Sequence, residues 1–265
     1  MQKNFEKIGI VFNPEIEETI ELAQKIKAKI QNAKVFSIDE MDENVDLSIA
    51  IGGDGTFLKA SRFYCATSTP VIGFNVGRLG YLAQAHPEEI DSVIKKLNSG
   101  DYKIENRLML KTKEGIALND VVVKGKNCAR TATFNLFVNE KCLCSYVADG
   151  LIVATPTGST AYSLSAGGPI ISPTIDCFLV IPICPHTLNT RPIVIPTTEK
   201  ITIKSAEKEE SLNVTLDGQV DYSTTSEVLI EKNEKPAKLL ILDKQKDKFY
   251  DILKEKLHWS IAPKK

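Results

Sequence analysis

The chain has 265 residues, with 33 basic and 34 acidic side chains, a net charge of -1 and 43% hydrophobic residues. That length allows one large or two medium domains around a real core, and the near-neutral charge, with lysines scattered among acids, gives no electrostatic footprint for nucleic acid or an anionic membrane. The apolar run Ile8 to Phe12 is too short for a signal segment and no window approaches a membrane span, so the expected location is the cytoplasm.

In chain order, Lys7 to Phe12 reads as a strand ended by Asn13-Pro14. Ile16, Ile20, Ala23, Ile26 and Ile30 recur at helical spacing, which predicts an amphipathic helix to about Gln31, and Val35 to Ile38 follows as a short strand. The apolar run Leu47 to Ile51 then enters Gly52-Gly53-Asp54-Gly55-Thr56. Glycines remove the Cβ atoms that keep a ligand off the main chain and permit positive φ, so this turn reads as a phosphate cradle. Asp54, an acid facing phosphates, is repelled unless it holds a metal ion or accepts a proton from an attacking hydroxyl, which points to phosphoryl transfer. A plain turn, with Asp54 or Thr56 capping a helix from Phe57 to about Ala66, is the competing reading. A strand at Val71 to Phe74 and a helix from Pro87 to Leu97 complete an alternation that predicts an α/β domain over residues 1–100, with a parallel sheet and ligands at the carboxyl ends of its strands.

Beyond Ser99-Gly100-Asp101 the character changes. Strand-like segments at Leu118 to Lys124, Thr133 to Val138, Tyr146 to Ala154, Phe178 to Ile181, Ile201 to Lys204, Leu212 to Leu216, Val228 to Lys232 and Leu239 to Leu242 predict a predominantly β, sandwich-like domain over 101–242. A last helix, Asp247 to Leu257 within a segment 243–265, is expected to pack back on the first domain. Cys142 and Cys144 have strand spacing, which puts both thiols on one face, and the six cysteines show no zinc spacing.

Two stretches of the β region carry chemistry. Asn119-Asp120 opens the run Val121-Val122-Val123, which suits hydrogen bonds to ribose hydroxyls or an adenine edge, with solvated turn residues as the alternative. Asp149-Gly150 leads through Thr155-Pro156-Thr157-Gly158-Ser159-Thr160-Ala161-Tyr162 to Gly167-Gly168-Pro169-Ile170. There Thr157, Ser159 and Thr160 can cap a short helix and Tyr162 offers a ring to stack on a base; a capped helix with a packed tyrosine explains the same residues. Gly73, Gly77 and Gly80 miss the dinucleotide fingerprint, and the Gly-Lys-Ser/Thr phosphate loop does not occur.

Together the 52–56 glycine turn, the Asn75 to Leu82 loop, Leu118-Asn119-Asp120, the Asp149 to Ile170 run, Pro185-His186-Thr187-Leu188, Arg191-Pro192-Ile193-Val194 and Leu216-Asp217-Gly218-Gln219 resemble the NAD kinases, over about residues 8 to 220. Lipid kinases and phosphofructokinases share only the glycine turn. The resemblance implies an α/β domain and a β domain with the site between them, and transfer of phosphate from ATP to the adenosine ribose 2′-hydroxyl of NAD with Mg²⁺ or Mn²⁺. It implies Asp54 as the catalytic carboxylate, with Gly52, Gly53, Gly55 and Thr56 on phosphates. Asn119 and Asp120 then bind adenosine, Asp149 and Ala161 face the nicotinamide half, and Thr160 and Tyr162 enclose the adenine. Asp54, Gly55, Asn75, Thr157 and Ser159 complete the implied NAD site, and a homodimer or homotetramer is the implied assembly. Departures are Asp120 for the usual Glu, Ala154 for the usual Ser, and Val76 and Arg78 in the loop after Asn75. The other readings weighed are a lipid or sugar kinase and a non-catalytic NAD(P)-binding sensor.

Overall fold

The structure is a computed structural model that describes residues 5–77, 80–82, 85–126, 131–207, 211–225, 227–242 and 248–257. Arg78, Cys128 and Asp247 lie outside the described residues. The chain divides into two compact units, Met1–Glu105 with Lys238–Lys265, and Asn106–Ala237.

The first unit begins with β1 (Ile8–Phe12), α1 (Glu17–Lys29), β2 (Ala33–Ser37), β3 (Leu47–Ile51), α2 (Asp54–Cys65), β4 (Val71–Phe74), α3 (Ile90–Ser99) and β5 (Tyr102–Arg107). The second contains β6 (Leu110–Lys111), β7 (Ile116–Ala117), β8 (Asp120–Gly125), β9 (Ala132–Val138), β10 (Lys141–Ala148), β11 (Gly150–Ala154), α4 (Tyr162–Ser165), β12 (Cys177–Ile183), β13 (Ile193–Pro196), β14 (Ile201–Ser205), β15 (Leu212–Leu216), β16 (Val220–Thr224) and β17 (Val228–Lys232). The chain then returns to the first unit with β18 (Ala237–Leu242) and α5 (Lys248–Lys256).

In the first unit the strand order is β2-β1-β3-β4-β18-β5, and the pairs β1 with β2, β1 with β3, β3 with β4 and β4 with β18 are parallel. Every residue of β3 is buried, as expected for a strand covered on both faces. Its Leu47, Ile49 and Ile51 join Leu22, Ala23 and Ile26 of α1 and Ile90 and Val93 of α3 in one core. The sequence grouped Leu239 to Leu242 with the β-rich strands, but an almost wholly buried apolar strand fits a parallel sheet, and β18 lies beside β4.

The second unit is a sandwich of two sheets, β10-β9-β14-β17-β6-β7 and β13-β12-β11-β8-β15-β16, and the strand pairs described are antiparallel. Phe134, Leu136, Ile201 and Ile230 of one sheet pack against Val121, Val123, Leu151, Val153 and Phe178 of the other. The outer face of β8, β11 and β12 is buried as well, under Ala166 and Ile171 from the segment after α4. Burial on two faces explains why these three strands read as continuous apolar runs while β9 and β15 alternate.

Two local expectations change. Tyr146 to Ala154 is not one strand: β10 ends at Ala148, Asp149 turns the corner, and β11 belongs to the other sheet. Cys142 and Cys144 do not share a face, because a bulge between them shifts the register so that they pair with Phe137 and Leu136; Cys142 is exposed and Cys144 half-buried.

Candidate active site

At the carboxyl end of β3 the chain turns directly into α2. The sequence placed this helix at Phe57, with Asp54 or Thr56 as its cap; it starts three residues earlier, Asp54 is its first residue, and Gly53 is the cap with no side-chain bond. Asp54 thus stands at the positive end of a helix dipole, where an anionic side chain is favoured. Of the three glycines only Gly52 takes positive φ, at 152°. A Cβ there would lie 2.3 Å from Thr56 Oγ1, so Gly52 is needed to let the buried Thr56 fold back over the turn. Gly53 is extended and exposed, and among the described residues a Cβ added to it meets no atom within 4 Å. The main chain of the turn is therefore open to a ligand at Gly53.

Asp54 is itself held. The Tyr81 N–H donates to its Oδ2 at 3.0 Å and the Leu82 N–H to its Oδ1 at 3.3 Å. The loop after β4 delivers these donors because its two ends are tied together: the Asn75 N–H donates to the Ala85 carbonyl at 3.0 Å and the Ala85 N–H to the Gly73 carbonyl at 3.2 Å. Buried Asn75 shapes the excursion, accepting the Gly77 N–H on Oδ1 at 3.0 Å. Gly80 fits because a Cβ would fall 2.0 Å from Asp54 Oδ1. Burial, and then the Asp54 charge, push the Tyr81 phenol above its usual range. Each oxygen of Asp54 keeps lone-pair capacity for one further donor.

In the second unit, Leu118-Asn119-Asp120 is clasped from two sides. Asp217, at the end of β15, accepts the Leu118 N–H on Oδ2 at 3.0 Å and the Asn119 and Asp120 N–H groups on Oδ1 at 2.7 and 3.2 Å. From the other side the Thr155 N–H donates to the Asn119 carbonyl at 2.8 Å and the Thr155 hydroxyl to the Leu118 carbonyl at 2.6 Å. Gly158 packs on Asn119, whose carbonyl oxygen would sit 2.1 Å from an added Cβ. Asp120 is not a solvated turn residue. It is 4% exposed, and burial, then the neighbouring Asp217, push its carboxyl up to about 7.

The hydroxyl run does not cap its helix as expected; no side-chain cap bond starts Thr157–Thr160 or Tyr162–Ser165, and Thr155 Oγ1 instead accepts the Gly158 N–H at 3.0 Å. Ser159 is fully buried: its hydroxyl bonds the Pro156 carbonyl at 2.6 Å and also accepts the Ile171 N–H at 3.0 Å, tying this turn to the segment beyond α4. Thr157 is buried, Thr160 and Ala161 are half-buried, and Tyr162 and Asp149 are exposed. Sequence reasoning gave no role to Asp217, Thr155, Gly80, Tyr81 or Leu82. The Asp217-Gly218 pair signals a turn, but no local pattern says that the turn's acid grips a backbone 98 residues away.

A family model for the ATP-NAD kinase N-terminal domain matches residues 12–102, and one for the ATP-NAD kinase C-terminal domain matches residues 118–241. The chain belongs to the NAD kinase family. The NAD kinase of Carboxydothermus hydrogenoformans is 41% identical over 235 residues, 84% of this chain and 83% of that protein. The NAD kinase of Clostridium perfringens is 36% identical over 271 residues, 94% and 98% of the two. Among solved structures, an NAD kinase from Archaeoglobus fulgidus in complex with ATP has a TM-score of 0.79 at 28% identity and covers 97% of this chain and 100% of its own. A yeast NADH kinase complexed with NADH has a TM-score of 0.84 at 26% identity, covering 100% and 91%. As in other NAD kinases, the reaction is phosphoryl transfer from ATP to NAD. No helix among the described residues is long and apolar enough to cross a membrane.

Proposed function

We propose that Asp54 is the residue at which the 2′-hydroxyl of the adenosine ribose reacts. One carboxylate oxygen takes the hydroxyl proton, the 2′-oxygen bonds to the γ-phosphorus of ATP, and the bond to the ADP oxygen breaks with its electron pair on ADP. The observation that carries this is the anchoring of both Asp54 oxygens by the Tyr81 and Leu82 N–H groups beside an exposed glycine turn. A half-buried, oriented acid at a helix start fits a transfer that depends on positioning and charge neutralisation. Gly52, Gly53, Gly55 and Thr56 form the phosphate-facing turn, supported by the open space at Gly53.

A divalent cation fits this donor set as a companion of ATP. Among the described residues no group of three or more His, Cys, Asp or Glu side chains stands together, and Mg²⁺ is commonly held by one or two carboxylates plus substrate phosphates. Asp54 is the carboxylate that would share it. Bound there, Mg²⁺ or Mn²⁺ supplies neutralisation of the charge on the transferring phosphate.

In the second unit, Asn119 and Asp120 bind the adenosine half of NAD, Asp149 and Ala161 face the nicotinamide half, and Thr160 and Tyr162 enclose the adenine. Thr157, Ser159 and Asn75 contribute by shaping backbone, a reading supported by their burial and, for Ser159 and Asn75, by internal hydrogen bonds. The protein acts in the cytoplasm as a homodimer or homotetramer. Exposed apolar residues on sheet edges, Leu143 on β10, Val194 on β13 and Val220 on β16 at 51%, 52% and 41% exposure, support association through the β units.

The test is Asp54→Asn, which keeps an oxygen for one N–H anchor but cannot take the proton. NADP formation, assayed with NAD and NADH across phosphoryl donors and metals, is expected to fall by roughly 10²–10⁴-fold in a variant that remains folded. A rate near that of the unaltered chain, with the fold intact, contradicts the assignment.

A further inference from the structure

On the β15 side residues 118–120 lie just past the paired register, whose last partners are Val121 and Leu216, while on the other side Asp120 still pairs with Ala154 of β11. Their N–H groups have no partner strand there, and buried donors must be satisfied. All three converge on the carboxylate of Asp217, whose own N–H donates to the Asp120 carbonyl at 2.9 Å. Asp217 is 7% exposed and adopts φ +51°, a left-handed conformation that Asp and Asn tolerate better than most residues. With Thr155 taking the Leu118 and Asn119 carbonyls, the backbone is fixed on both sides. With the backbone groups so engaged, what the segment can offer a ligand is the half-buried Asn119 side chain and the buried Asp120 carboxyl.

We propose that Asp217 is a positioning residue for the dinucleotide: its carboxylate sets the Leu118-Asn119-Asp120 backbone so that the two following side chains meet the adenosine half of NAD in one arrangement. This rests on the assignment of Asn119 and Asp120 to NAD made above. The same carboxylate is the charged neighbour that, after burial, holds the Asp120 proton on to higher pH. Removing its charge therefore moves the titration of Asp120 to lower pH.

The experiment uses full-length Asp217→Asn, which keeps the size and the left-handed preference while replacing one acceptor oxygen with a donor. KM for NAD is expected to rise roughly 10- to 100-fold, the effect of losing a buried hydrogen bond to a charged group. kcat and KM for ATP should stay within about threefold, and the pH midpoint of KM for NAD should move to lower pH. A KM for NAD within twofold of the unaltered value and an unmoved midpoint overturn the proposal. So does a parallel loss in kcat and both KM values with a lowered melting temperature, the mark of a merely structural residue. If this variant does not fold, Asp217→Glu keeps the charge but displaces the oxygens by a methylene; it should raise KM for NAD without moving the midpoint, and an unchanged KM again overturns the role. Asn119→Ala and Asp120→Asn separate the two assignments. If they raise KM for NAD and the Asp217 variants do not, only the role of Asp217 fails; if they also leave it unchanged, the underlying assignment to NAD fails.

Discussion

The turn at Asp54 and the turn at Asp217 use the same interaction in opposite directions. In the first unit two backbone N–H groups hold a carboxylate that remains half-exposed. In the second a buried carboxylate holds three backbone N–H groups, and the residues it grips are buried Leu118, half-buried Asn119 and buried Asp120. A carboxylate gathering N–H donors is therefore not a signature of one role. Burial separates them: the half-exposed acid is the one proposed to react, and the buried one is proposed to set geometry.

Glycine substitutions are the sharpest way to break this contrast. Gly80→Ala puts a Cβ 2.0 Å from Asp54 Oδ1, so it must move the carboxylate proposed to react. A displacement of about 1 Å can cost roughly 10²-fold in rate, and single-turnover kinetics should show that loss in the chemical step with NAD affinity kept. Gly158→Ala presses on the Asn119 backbone, with 2.1 Å to the carbonyl oxygen. Because rigid backbone rather than a flexible side chain must give way, a stability loss of about 1–3 kcal/mol in denaturant titrations is expected together with weaker NAD binding.

An effect of comparable size is expected from pH. The Asp120 carboxyl is raised from an ordinary 3.8 to about 7 by burial and then by Asp217. Below pH 3.8 the folded and unfolded chains both carry the proton and its stabilising contribution is complete. As pH rises toward 7 the unfolded chain ionises first, so native stability falls, by at most about 1.4 kcal/mol per pH unit, and levels off above the folded value. Urea midpoints compared at pH 5 and pH 8 should therefore drop more in the unaltered protein than in Asp120→Asn, which has no proton to lose. Equal drops would remove Asp120 from the comparison. Least of all, Gly53→Ala should leave the melting temperature nearly unchanged, because its Cβ meets no described atom within 4 Å, while KM for ATP rises if phosphate approaches that backbone.

Much of the scaffold was legible because burial is written into composition. β3 was read with its observed bounds, since a wholly buried strand is a continuous apolar run between breakers. The same rule misled at Tyr146 to Ala154, where apolar character continues through a change of sheet at Asp149. β5 and β16 escaped notice because they carry mixed, largely polar patterns rather than apolar runs. The start of α2 was misread because glycines in a first turn look like loop, whereas here Gly55 lies inside the helix. Among the proposed site residues, Asp54 and Asn119-Asp120 were singled out by residue type and by their position at strand ends. Their supports were not, because Tyr81 and Leu82 act through N–H groups that every residue but proline has, and Asp217 reaches across 97 to 99 positions.

The division of labour between the two turns is tested most directly by calorimetric titration of NAD into Asp54→Asn and Asp217→Asn beside the unaltered protein. Asp54→Asn is expected to bind NAD within a few-fold of normal while making almost no NADP, and Asp217→Asn to bind roughly 10- to 100-fold more weakly while keeping its turnover at saturating NAD. Normal NAD binding by Asp217→Asn, or normal turnover by a folded Asp54→Asn, would contradict that division of labour.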